Sequence, residues 1–317
     1  MTDTQNEAFK TPANKIRLFE HGAPGSQNLK LTRKYYTEDM PDGRVKHIVQ
    51  NITDPDIVPY IPDGIGNSTD RQRIPAVLII PGGAFRRLVY NFEGEDVAKW
   101  LNSMGIAAFV LECRLPSDEH DNAEDVPLID AMRAMRVIRG RAQEFGIDEA
   151  KIGVMGFSAG GFMAALLSTA YESDVYAGYK YKDEYDKLSA RPDFAVCSYP
   201  VISIDDCIEA GKRYMSEEQV LERISDSKAK ILHKYNPDKL VRPDMPPVFI
   251  CETDDDRTTL SENSVGFYMA ARKAGVSAEL HIFRTGGHGY GCGDDFAQTG
   301  EWKVLFTKWI KSIGIIS

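Results

Sequence analysis

The sequence predicts an α/β fold in which a mostly parallel central sheet is covered by helices on both faces. From residue 74 onward, short apolar runs alternate with longer segments of helical character. Polar or glycine-rich loops follow several of these runs, as at Pro81-Gly82-Gly83 and Gly286-Gly287. Strands that alternate with helices in this way are typical of parallel sheets. No linker rich in proline, glycine or serine divides the 317 residues, so the sheet is expected to form a single domain.

The predicted elements follow one another in a regular order. They are a strand at 76–80, a helix at about 93–104, a strand at 106–112, a helix at about 123–145, a strand at 151–156, a helix at about 159–171, strands at 193–199 and 247–251, a helix that starts near Ser261, a strand at 278–283 and a closing helix at about 299–312. Two earlier β-like runs, Leu29–Tyr36 and Arg44–Ile52, are expected to form an antiparallel edge of the sheet. Residues 1–27 are expected to be a loose N-terminal arm and residues 28–317 the domain itself.

Two insertions interrupt the alternation, near residues 172–191 and 203–244. The first is rich in tyrosine, lysine and aspartate. The second is polar and helical, with a capped helix start at Met215-Ser216-Glu217-Glu218. Long insertions in such folds often shape a substrate pocket, here as a small cap, but they also occur as surface decoration. The sequence leaves both interpretations open.

The segment Gly156-Phe157-Ser158-Ala159-Gly160 has the Gly-x-Ser-x-Gly pattern of a nucleophile elbow. It lies between an apolar strand and a helix of small residues, so a sharp turn would project the Ser158 hydroxyl above the sheet. Gly156 and Gly160 carry no Cβ and allow the strand and the helix to approach closely. The helix N-terminus and the Ala159 N–H favour negative charge beside the serine. The alternative is a glycine-rich nucleotide-binding turn, but no Gly-x-Gly-x-x-Gly or Gly-Lys-Ser/Thr pattern follows the strand.

Acidic residues and a histidine follow the serine in the order that a Ser–Asp–His triad requires in such a fold. The run Asp254–Asp256 comes after the strand at 247–251, and His288 follows the strand at 278–283. Because parallel strands end at the same edge of a sheet, these side chains are predicted to meet Ser158. Taken singly, the aspartates are equally well explained as a solvated turn that caps the next helix, and the histidine as a loop residue.

A second glycine-containing loop, Pro81-Gly82-Gly83-Ala84-Phe85, follows the apolar strand 75–80. In folds that carry the elbow, the loop after this strand supplies a backbone N–H to the oxyanion of the reaction. Glycines let the backbone come close to the substrate oxygen. A simple Pro-Gly turn is the alternative. The position of the loop, one βαβ unit before the elbow, favours the oxyanion interpretation.

Composition and charge exclude several classes of protein. The chain has 43% hydrophobic and 27% charged residues, a net charge of −9 and an isoelectric point near 5.3, which argues against nucleic acid as a partner. No run of about 18 apolar residues is present, so no membrane span is expected. No His-Glu-x-x-His or paired-cysteine pattern indicates a metal, and no cofactor is expected.

The cysteines and the first residues predict a cytoplasmic protein. Residues 1–7 are polar and lack the apolar segment of a signal peptide. The cysteines are odd in number and scattered, and most lie in apolar runs, so they are expected to be buried thiols in a reducing compartment. The five are Cys113, Cys197, Cys207, Cys251 and Cys292.

Together these motifs resemble an α/β-hydrolase of the bacterial group labelled acetyl esterase or xylan esterase-like, which is related to hormone-sensitive-lipase-type and dienelactone-hydrolase-type enzymes. The resemblance covers roughly residues 74–313. The segments that carry it are Pro81-Gly82-Gly83-Ala84-Phe85, Gly156-Phe157-Ser158-Ala159-Gly160-Gly161, Ser189-Ala190-Arg191-Pro192-Asp193-Phe194, Tyr199-Pro200-Val201-Ile202-Ser203, Asp255-Asp256 before Glu262-Asn263-Ser264, and Gly286-Gly287-His288-Gly289-Tyr290-Gly291. The resemblance implies an α/β-hydrolase fold and ester hydrolysis, and it is weak evidence for the substrate.

The sequence departs from the pattern of these relatives in two loops. Lipase-type relatives usually carry a histidine where this chain has Pro81, and many have a third glycine where it has Ala84; neither change removes a backbone N–H at the expected oxyanion site. After the acid, relatives often read Asp-x-Val-Val-Pro, whereas this chain reads Asp256-Arg257-Thr258-Thr259-Leu260. Alignment on the following helix selects Asp256 as the acid, with Asp255 as the fallback.

The resemblance implies a serine esterase in which Ser158 is the nucleophile, His288 the general base and Asp256 the residue that orients the histidine. The expected oxyanion donors are the N–H groups of Gly83, Ala84 and Ala159. Short acyl groups are implied, especially acetyl groups on plant-polysaccharide sugars. The expected partner is therefore a small ester or an acetylated oligosaccharide, and a homo-oligomer is one option for the assembly.

Two alternatives stay open on the sequence. A prolyl-oligopeptidase-type peptidase shares these motifs, but such enzymes usually carry a large N-terminal propeller, which about 75 residues cannot form. A non-catalytic α/β-hydrolase scaffold that binds a ligand generally lacks one member of the triad. Ser158, Asp256 and His288 are all present here, which favours the enzyme.

Overall fold

The computed structural model describes residues 9–65, 73–176, 183–216, 218–220, 229–293 and 298–317. Its strands, in chain order, are β1 (Ile16–Arg17), β2 (Lys34–Asp39), β3 (Val45–Gln50), β4 (Asp56–Tyr60), β5 (Ile74–Ile80), β6 (Leu88–Val89), β7 (Ala107–Glu112), β8 (Ile147–Phe157), β9 (Ala195–Ser198), β10 (Val248–Thr253) and β11 (Ala278–Phe283). Eight of them form the main sheet, in the order β1-β4-β7-β5-β8-β9-β10-β11. The strands from β7 to β11 in this order are parallel, whereas β1 and β4 pair antiparallel at one edge. The predicted class, with its mostly parallel sheet, is confirmed.

Helices cover both faces of this sheet. In chain order they are α1 (Asp96–Ser103), α2 (Val126–Gly140), α3 (Ala142–Phe145), α4 (Ala159–Ala170), α5 (Ile204–Tyr214), α6 (Ala229–Lys234), α7 (Ser261–Lys273) and α8 (Trp302–Ser312). All six residues of β7 are buried, and successive strand residues point to opposite faces, so both faces must be covered. A π-helical turn, Asn91–Glu95, leads directly into α1. Within the described ranges, no helix combines the length and the apolar character needed to cross a lipid bilayer.

The antiparallel edge of the main sheet is not formed by the two runs predicted for it. Strands β2 and β3 pair with each other and with β6 in a separate three-stranded sheet. The edge is formed by β4, which pairs with β7, and by β1. Strand β4 has five residues and includes Pro59, so its β pattern in the sequence is weak. Its place is secured by Ile57 and Val58, which are fully buried.

Part of the predicted N-terminal arm is packed into the domain, so the expectation of a loose segment is wrong there. Leu18 and Phe19 are 1% and 2% exposed. The Leu18 N–H donates to the carbonyl of Pro55 at 3.1 Å, and its own carbonyl accepts from Arg133 Nε at 2.9 Å. Two apolar residues within a polar stretch are a weak signal, because their burial depends on partners far away in the chain.

The first insertion lies away from Ser158. Helix α4 starts at the carboxyl end of β8 and runs back across the sheet, so residues 172–191, which follow it, lie at the amino ends of the strands. There Arg133 pairs with Asp183 and Asp186, and the Tyr176 hydroxyl donates to Asp186 at 2.6 Å. Residues 177–182 lie outside the described part. For the described part of this insertion, the interpretation as a cap over the site is wrong.

The second insertion starts at the edge of the sheet that carries Ser158. It leaves the carboxyl end of β9 and contacts the start of α2, where Asp125 accepts from Tyr235 and Lys234 at 2.5 and 2.7 Å. The predicted helix start is confirmed by a reciprocal pair of hydrogen bonds. The Ser216 N–H donates to Gln219 Oε1 at 2.9 Å, and the Gln219 N–H donates to Ser216 Oγ at 3.3 Å. Residues 217 and 221–228 lie outside the described part. A role in shaping the pocket stays a prediction for this insertion.

A buried ion pair fixes the loop after β7 to α2. The side chains of Arg114 and Asp130 are both 0% exposed, and Arg114 Nη2 lies 2.7 Å from Asp130 Oδ1. The Arg114 N–H and Nε–H also donate to this carboxylate. Removing one member of such a pair leaves an uncompensated buried charge, which is more costly than losing the pair as a whole.

Asp130→Ala is therefore expected to lower the free energy of unfolding by about 3–5 kcal/mol. The control is Lys187→Ala, which removes an exposed pair with Glu184 and should cost less than about 1 kcal/mol. Urea denaturation of both variants measures the difference. Equal stability of the two variants would show that the buried pair has no special structural role.

Candidate active site

Ser158 lies between β8 and α4 in a conformation that few residues adopt. Its φ and ψ angles are 53° and −118°, and such left-handed backbone costs of the order of 1–3 kcal/mol in a residue with a side chain. The flanking glycines make the turn possible. A Cβ at Gly156 would lie 1.9 Å from the carbonyl oxygen of Gly160, and a Cβ at Gly160 would lie 1.9 Å from that of Ile80. The two glycines therefore have the packing role that the motif predicts.

Ser158, His288 and Asp256 lie in one hydrogen-bonded chain. Ser158 Oγ is 2.8 Å from His288 Nε2, and His288 Nδ1 is 2.6 Å from Asp256 Oδ2. A carboxylate beside Nδ1 favours the tautomer with its proton on that nitrogen, which leaves Nε2 as the acceptor for the serine hydroxyl. A serine, a histidine base and an orienting carboxylate in this order are the parts of a nucleophilic mechanism.

The structure separates Asp256 from Asp255. Asp256 is 2% exposed, and its Oδ1 accepts from two backbone N–H groups of the following turn at 2.7 and 2.9 Å. Asp255 is exposed, and its Oδ1 accepts from the N–H of Gly287 at 2.8 Å. The contact with the His288 ring therefore belongs to Asp256, while Asp255 contacts the backbone of the loop that carries the histidine.

Asp256 is held in its ionised form in spite of its burial. Burial alone would raise its pKa, but the hydrogen bond and charge of His288 and the two backbone N–H groups outweigh that effect and hold the pKa below its usual range. The Thr259 hydroxyl lies 2.9 Å from Asp256 Oδ2 and adds a further donor. In a Ser–His–Asp mechanism, an ionised carboxylate in this position stabilises the imidazolium that forms when the serine gives up its proton.

A second carboxyl group, that of Glu252 at the end of β10, lies close to Asp256. It is fully buried and accepts from the Thr253 N–H at 2.9 Å and the Ser264 hydroxyl at 3.2 Å. Burial, followed by the charge of Asp256, raises the pKa of Glu252 well above its usual range. These surroundings favour the protonated form of Glu252, whereas those of Asp256 favour its ionised form.

The loop after β5 lies directly against the elbow. A Cβ at Gly82 would lie 2.5 Å from the carbonyl oxygen of Phe157 and 2.9 Å from Ser158 Cβ, so only glycine fits at this position. The Gly82 N–H donates to Glu93 Oε2 at 2.8 Å and is therefore occupied. The first glycine of the loop thus provides the close contact with Ser158.

The three predicted oxyanion donors lie on either side of Ser158. Gly83 and Ala84 follow Gly82 with φ angles of 136° and 56°, which turn the backbone sharply. Ala159 is the first residue of α4, where a helix has no intrahelical acceptor for its N–H. Within the described part of the chain, the N–H groups of Gly83, Ala84 and Ala159 donate to no protein acceptor. Backbone N–H groups without a protein acceptor are the kind of donor that can bind an anionic oxygen.

Two buried residues near the site were missed by the sequence analysis, namely Glu93 and Tyr199. The Tyr199 hydroxyl donates to Glu93 Oε1 at 2.9 Å, and the Tyr199 ring lies 5.0 Å from the His288 ring in an edge-to-face arrangement. A signal for Tyr199 was present, because it comes directly after β9 and side chains at the carboxyl ends of parallel strands face the site. Glu93 has no comparable signal, since it lies at the start of a helical pattern where acidic residues are common.

Comparison with known proteins identifies the family. The family model named BD-FAE matches residues 65–270. The chain belongs to the BD-FAE family. An acetylxylan esterase of Xylanibacter ruminicola is 31% identical over 240 residues, which are 75% of this chain and 45% of that protein. Endo-1,4-beta-xylanase B of Butyrivibrio fibrisolvens is 31% identical over 227 residues, 71% of this chain and 34% of that protein. The matched part of the chain thus spans less than half the length of either relative.

Solved structures give the same fold. The acetyl ester-xyloside bifunctional hydrolase of Caldicellulosiruptor lactoaceticus is 34% identical, with a TM-score of 0.69 over 96% of this chain and 97% of that one. The carboxylesterase Cest-2923 of Lactobacillus plantarum is 20% identical, with a TM-score of 0.68 over 90% and 99% of the two chains, and shows the fold alone. Together with the BD-FAE match, these likenesses confirm the α/β-hydrolase fold and the predicted resemblance to acetyl esterases and xylan esterases.

Asp256→Asn is expected to slow the reaction of Ser158 with a fluorophosphonate by roughly 10²–10⁴, the range that a positioned general base contributes. An asparagine amide favours the wrong histidine tautomer, in which Nε2 carries the proton and cannot accept another from the serine. The rate is measured by mass spectrometry of the labelled protein.

Asp255→Asn is the matched control, because it changes a neighbouring carboxylate that contacts the Gly287 backbone rather than the imidazole. It should keep most of the labelling rate. The reverse ranking of the two variants would make Asp255 the acid, and unchanged rates in both would remove this loop from the mechanism.

Proposed function

We propose that the protein is a serine carboxylesterase that removes short acyl groups, above all acetyl, from sugars or oligosaccharides. The observation that carries the proposal is the chain of contacts from Ser158 to His288 to Asp256, at 2.8 and 2.6 Å. The acetylxylan esterase relative and the acetyl ester-xyloside hydrolase structure support the substrate class.

The reaction starts at the Ser158 hydroxyl. Its Oγ forms a bond to the ester carbonyl carbon while its proton passes to His288 Nε2. The electron pair of the carbonyl bond moves to the oxygen, which the N–H groups of Gly83, Ala84 and Ala159 hold as an oxyanion. When this intermediate collapses, the bond to the alcohol oxygen breaks and His288 gives its proton to that oxygen. The acyl group is then bound to Ser158.

Water completes the cycle by the same path. Its oxygen adds to the acyl carbon while His288 Nε2 takes one of its protons, and the oxyanion forms in the same place. Collapse of the second intermediate breaks the bond to Ser158 Oγ, which regains its proton from His288, and the carboxylic acid leaves. Side chains and backbone N–H groups supply every step, so the rate should be the same with and without a chelator.

A small, mostly apolar cavity beside the elbow supports the choice of a short acyl group. Its walls include Gly82, Phe85, Leu115, Pro127, Ala159 and Met163. Gly82 and Ala159 adjoin the nucleophile, so this cavity is a place for the substituent on the carbonyl carbon. Phe85 and Met163 narrow it, which favours a methyl group over a long chain.

The location and partners belong to the same proposal. We assign the protein to the cytoplasm, in agreement with the buried thiols of Cys113, Cys197 and Cys251, and the net charge of −9 argues against nucleic acid as a partner. A cytoplasmic esterase would meet acetylated oligosaccharides that have been imported rather than the polymer. Fractionation of cells that express the chain, followed by activity staining with a fluorophosphonate, tests the location.

Ser158→Ala should lower the hydrolysis of p-nitrophenyl acetate by roughly 10³ or more, because the covalent path is lost. Ser168→Ala is the matched control, since it removes a buried hydroxyl that donates within α4 to the carbonyl of Ala164. The control should keep its activity, and circular dichroism should show both variants folded. A Ser158→Ala protein that keeps a tenth of the wild-type hydrolysis rate would refute Ser158 as the nucleophile. A wild-type protein that never reacts with a fluorophosphonate would favour a non-catalytic scaffold.

Acetyl esters should be hydrolysed faster than octanoyl esters, because the cavity beside the elbow is small. Comparison of kcat/KM for p-nitrophenyl acetate, butyrate and octanoate measures this preference. Met163→Ala removes a side chain from the cavity wall and should shift the preference toward butyrate. Faster turnover of octanoate by the wild type would contradict the assignment and indicate a lipase-like enzyme.

A further inference from the structure

We propose that Glu93 and Tyr199 are positioning residues that hold the oxyanion loop and the histidine loop in a fixed relation to each other. The inference rests on the proposed esterase function and deepens it, because it assigns a role to two buried residues outside the triad. Neither residue reaches the reacting atoms in the mechanism above, so both would act through the loops that they contact.

Glu93 ties the oxyanion loop to the end of β9. It lies on the π-helical turn Asn91–Glu95 and is 5% exposed. Its Oε2 accepts from the Gly82 N–H at 2.8 Å, and its Oε1 accepts from the Tyr199 hydroxyl at 2.9 Å. The two donors come from different loops of the site, and one carboxylate therefore fixes the distance between them.

Tyr199 extends this connection to the histidine and acid loops. Its hydroxyl oxygen accepts from the N–H of Gly291, three residues after His288, at 3.1 Å. Its carbonyl oxygen lies 3.2 Å from the Thr259 hydroxyl oxygen, and its ring packs edge-to-face against the His288 ring. The backbone of Tyr199 has a φ of 37°, in the left-handed region that a residue with a side chain rarely occupies. Strained backbone of this kind clusters at functional sites.

The resulting path runs from Gly82 through Glu93 and Tyr199 to Gly291. One end is Gly82, which directly precedes the proposed oxyanion donors Gly83 and Ala84. The other end is Gly291, three residues after His288. Oxyanion donors and base must be placed together, because the donors bind an oxygen whose charge develops only as the base takes the proton. Loss of the path should therefore weaken interactions made in the transition state and leave ground-state binding of the substrate largely unchanged.

The first test is Tyr199→Phe, which keeps the ring against His288 and removes only the hydroxyl that donates to Glu93 and accepts from Gly291. We expect kcat for p-nitrophenyl acetate to fall roughly 10- to 100-fold, the scale of small displacements of reacting groups, with KM within about twofold. Tyr171→Phe is the matched control. Tyr171 is a buried tyrosine that directly follows α4, and its hydroxyl also donates to a carboxylate, that of Asp244, at 2.6 Å. It should leave kcat unchanged.

The second test is a double-mutant cycle between Glu93→Gln and Tyr199→Phe. A glutamine side chain has one oxygen acceptor where glutamate has two. It can therefore accept from the Gly82 N–H or from the Tyr199 hydroxyl in the present geometry, but not from both. If the two residues act as one path, the double variant should lose no more in kcat than the worse single variant. Independent effects that multiply would show that the residues do not form a single path.

The outcomes separate the inference from the proposed function. A folded Tyr199→Phe protein with a kcat within twofold of wild type overturns the inference. An equal loss of kcat in Tyr171→Phe overturns it as well. So does a loss of kcat in Tyr199→Phe that is fully accounted for by a lower melting temperature of that variant. If Glu93→Gln does not fold, Tyr199→Phe decides by itself. A wild type that hydrolyses no ester and whose Ser158 does not react with a fluorophosphonate refutes the proposed function, and the inference fails with it.

Discussion

The close contact between β8 and α4 is the constraint on which the site depends. The carbonyl oxygens of Gly160 and Ile80 occupy the positions that Cβ atoms on Gly156 and Gly160 would need, so strand, helix and neighbouring strand meet backbone to backbone. The strained turn at Ser158 is held between them, and its N–H donates to the carbonyl of Ser198 at 3.0 Å. A cost of about 1–3 kcal/mol for that turn is a large share of a typical net stability of 5–15 kcal/mol. The strained turn persists because the hydrogen bonds of β8 with the neighbouring strands β5 and β9 already fix the sheet around it.

The parts of the site that can be predicted from the sequence are those that follow a strand directly. Ser158, the aspartate run and His288 each come after an apolar run, and the rule that parallel strands end at one edge brings them together. Alignment on the following helix favoured Asp256 and kept Asp255 as the fallback, because the two are adjacent and only the course of the loop decides which carboxylate faces the ring. Glu93 could not be found either, since its partners, Gly82 and Tyr199, are identified only by the folded arrangement of separate loops.

The same limit explains the differences in the fold. The parallel strands were predictable because they are apolar runs or, in β11, an alternation of apolar and polar residues, whereas β4 is short and contains Pro59. Residues Leu18 and Phe19 are buried by contacts with distant segments, which no local pattern records. The first insertion is long, as pocket-forming insertions often are, but its place at the amino ends of the strands follows only from the direction of α4.

Three buried carboxyl groups, those of Asp256, Glu252 and Glu93, lie around the loops of the site, and their surroundings shift their pKa values in different directions. Asp256 accepts from His288, from two backbone N–H groups and from Thr259, so it is ionised. Burial, followed by the nearby charge of Asp256, raises the pKa of Glu252 well above its usual range. Burial also raises the pKa of Glu93, against the opposing effects of the His288 charge and the donors Tyr199 and Gly82. The axis through Asp256, His288 and Ser158 therefore carries one strong negative charge at the end where the imidazolium needs it.

The loop that carries His288 is anchored on both sides of the histidine. Before it, Gly287 donates to Asp255 at 2.8 Å and accepts from the Thr253 hydroxyl at 2.9 Å. After it, Gly291 donates to Tyr199 at 3.1 Å. The side chain of His288 is itself 21% exposed, so the proposed reaction has access to its ring. Proton transfer in both halves of the proposed reaction requires Nε2 to meet first the serine, then a leaving oxygen, then water. A fixed backbone with an accessible ring satisfies that requirement, because small rotations of the side chain suffice while Asp256 keeps the tautomer unchanged.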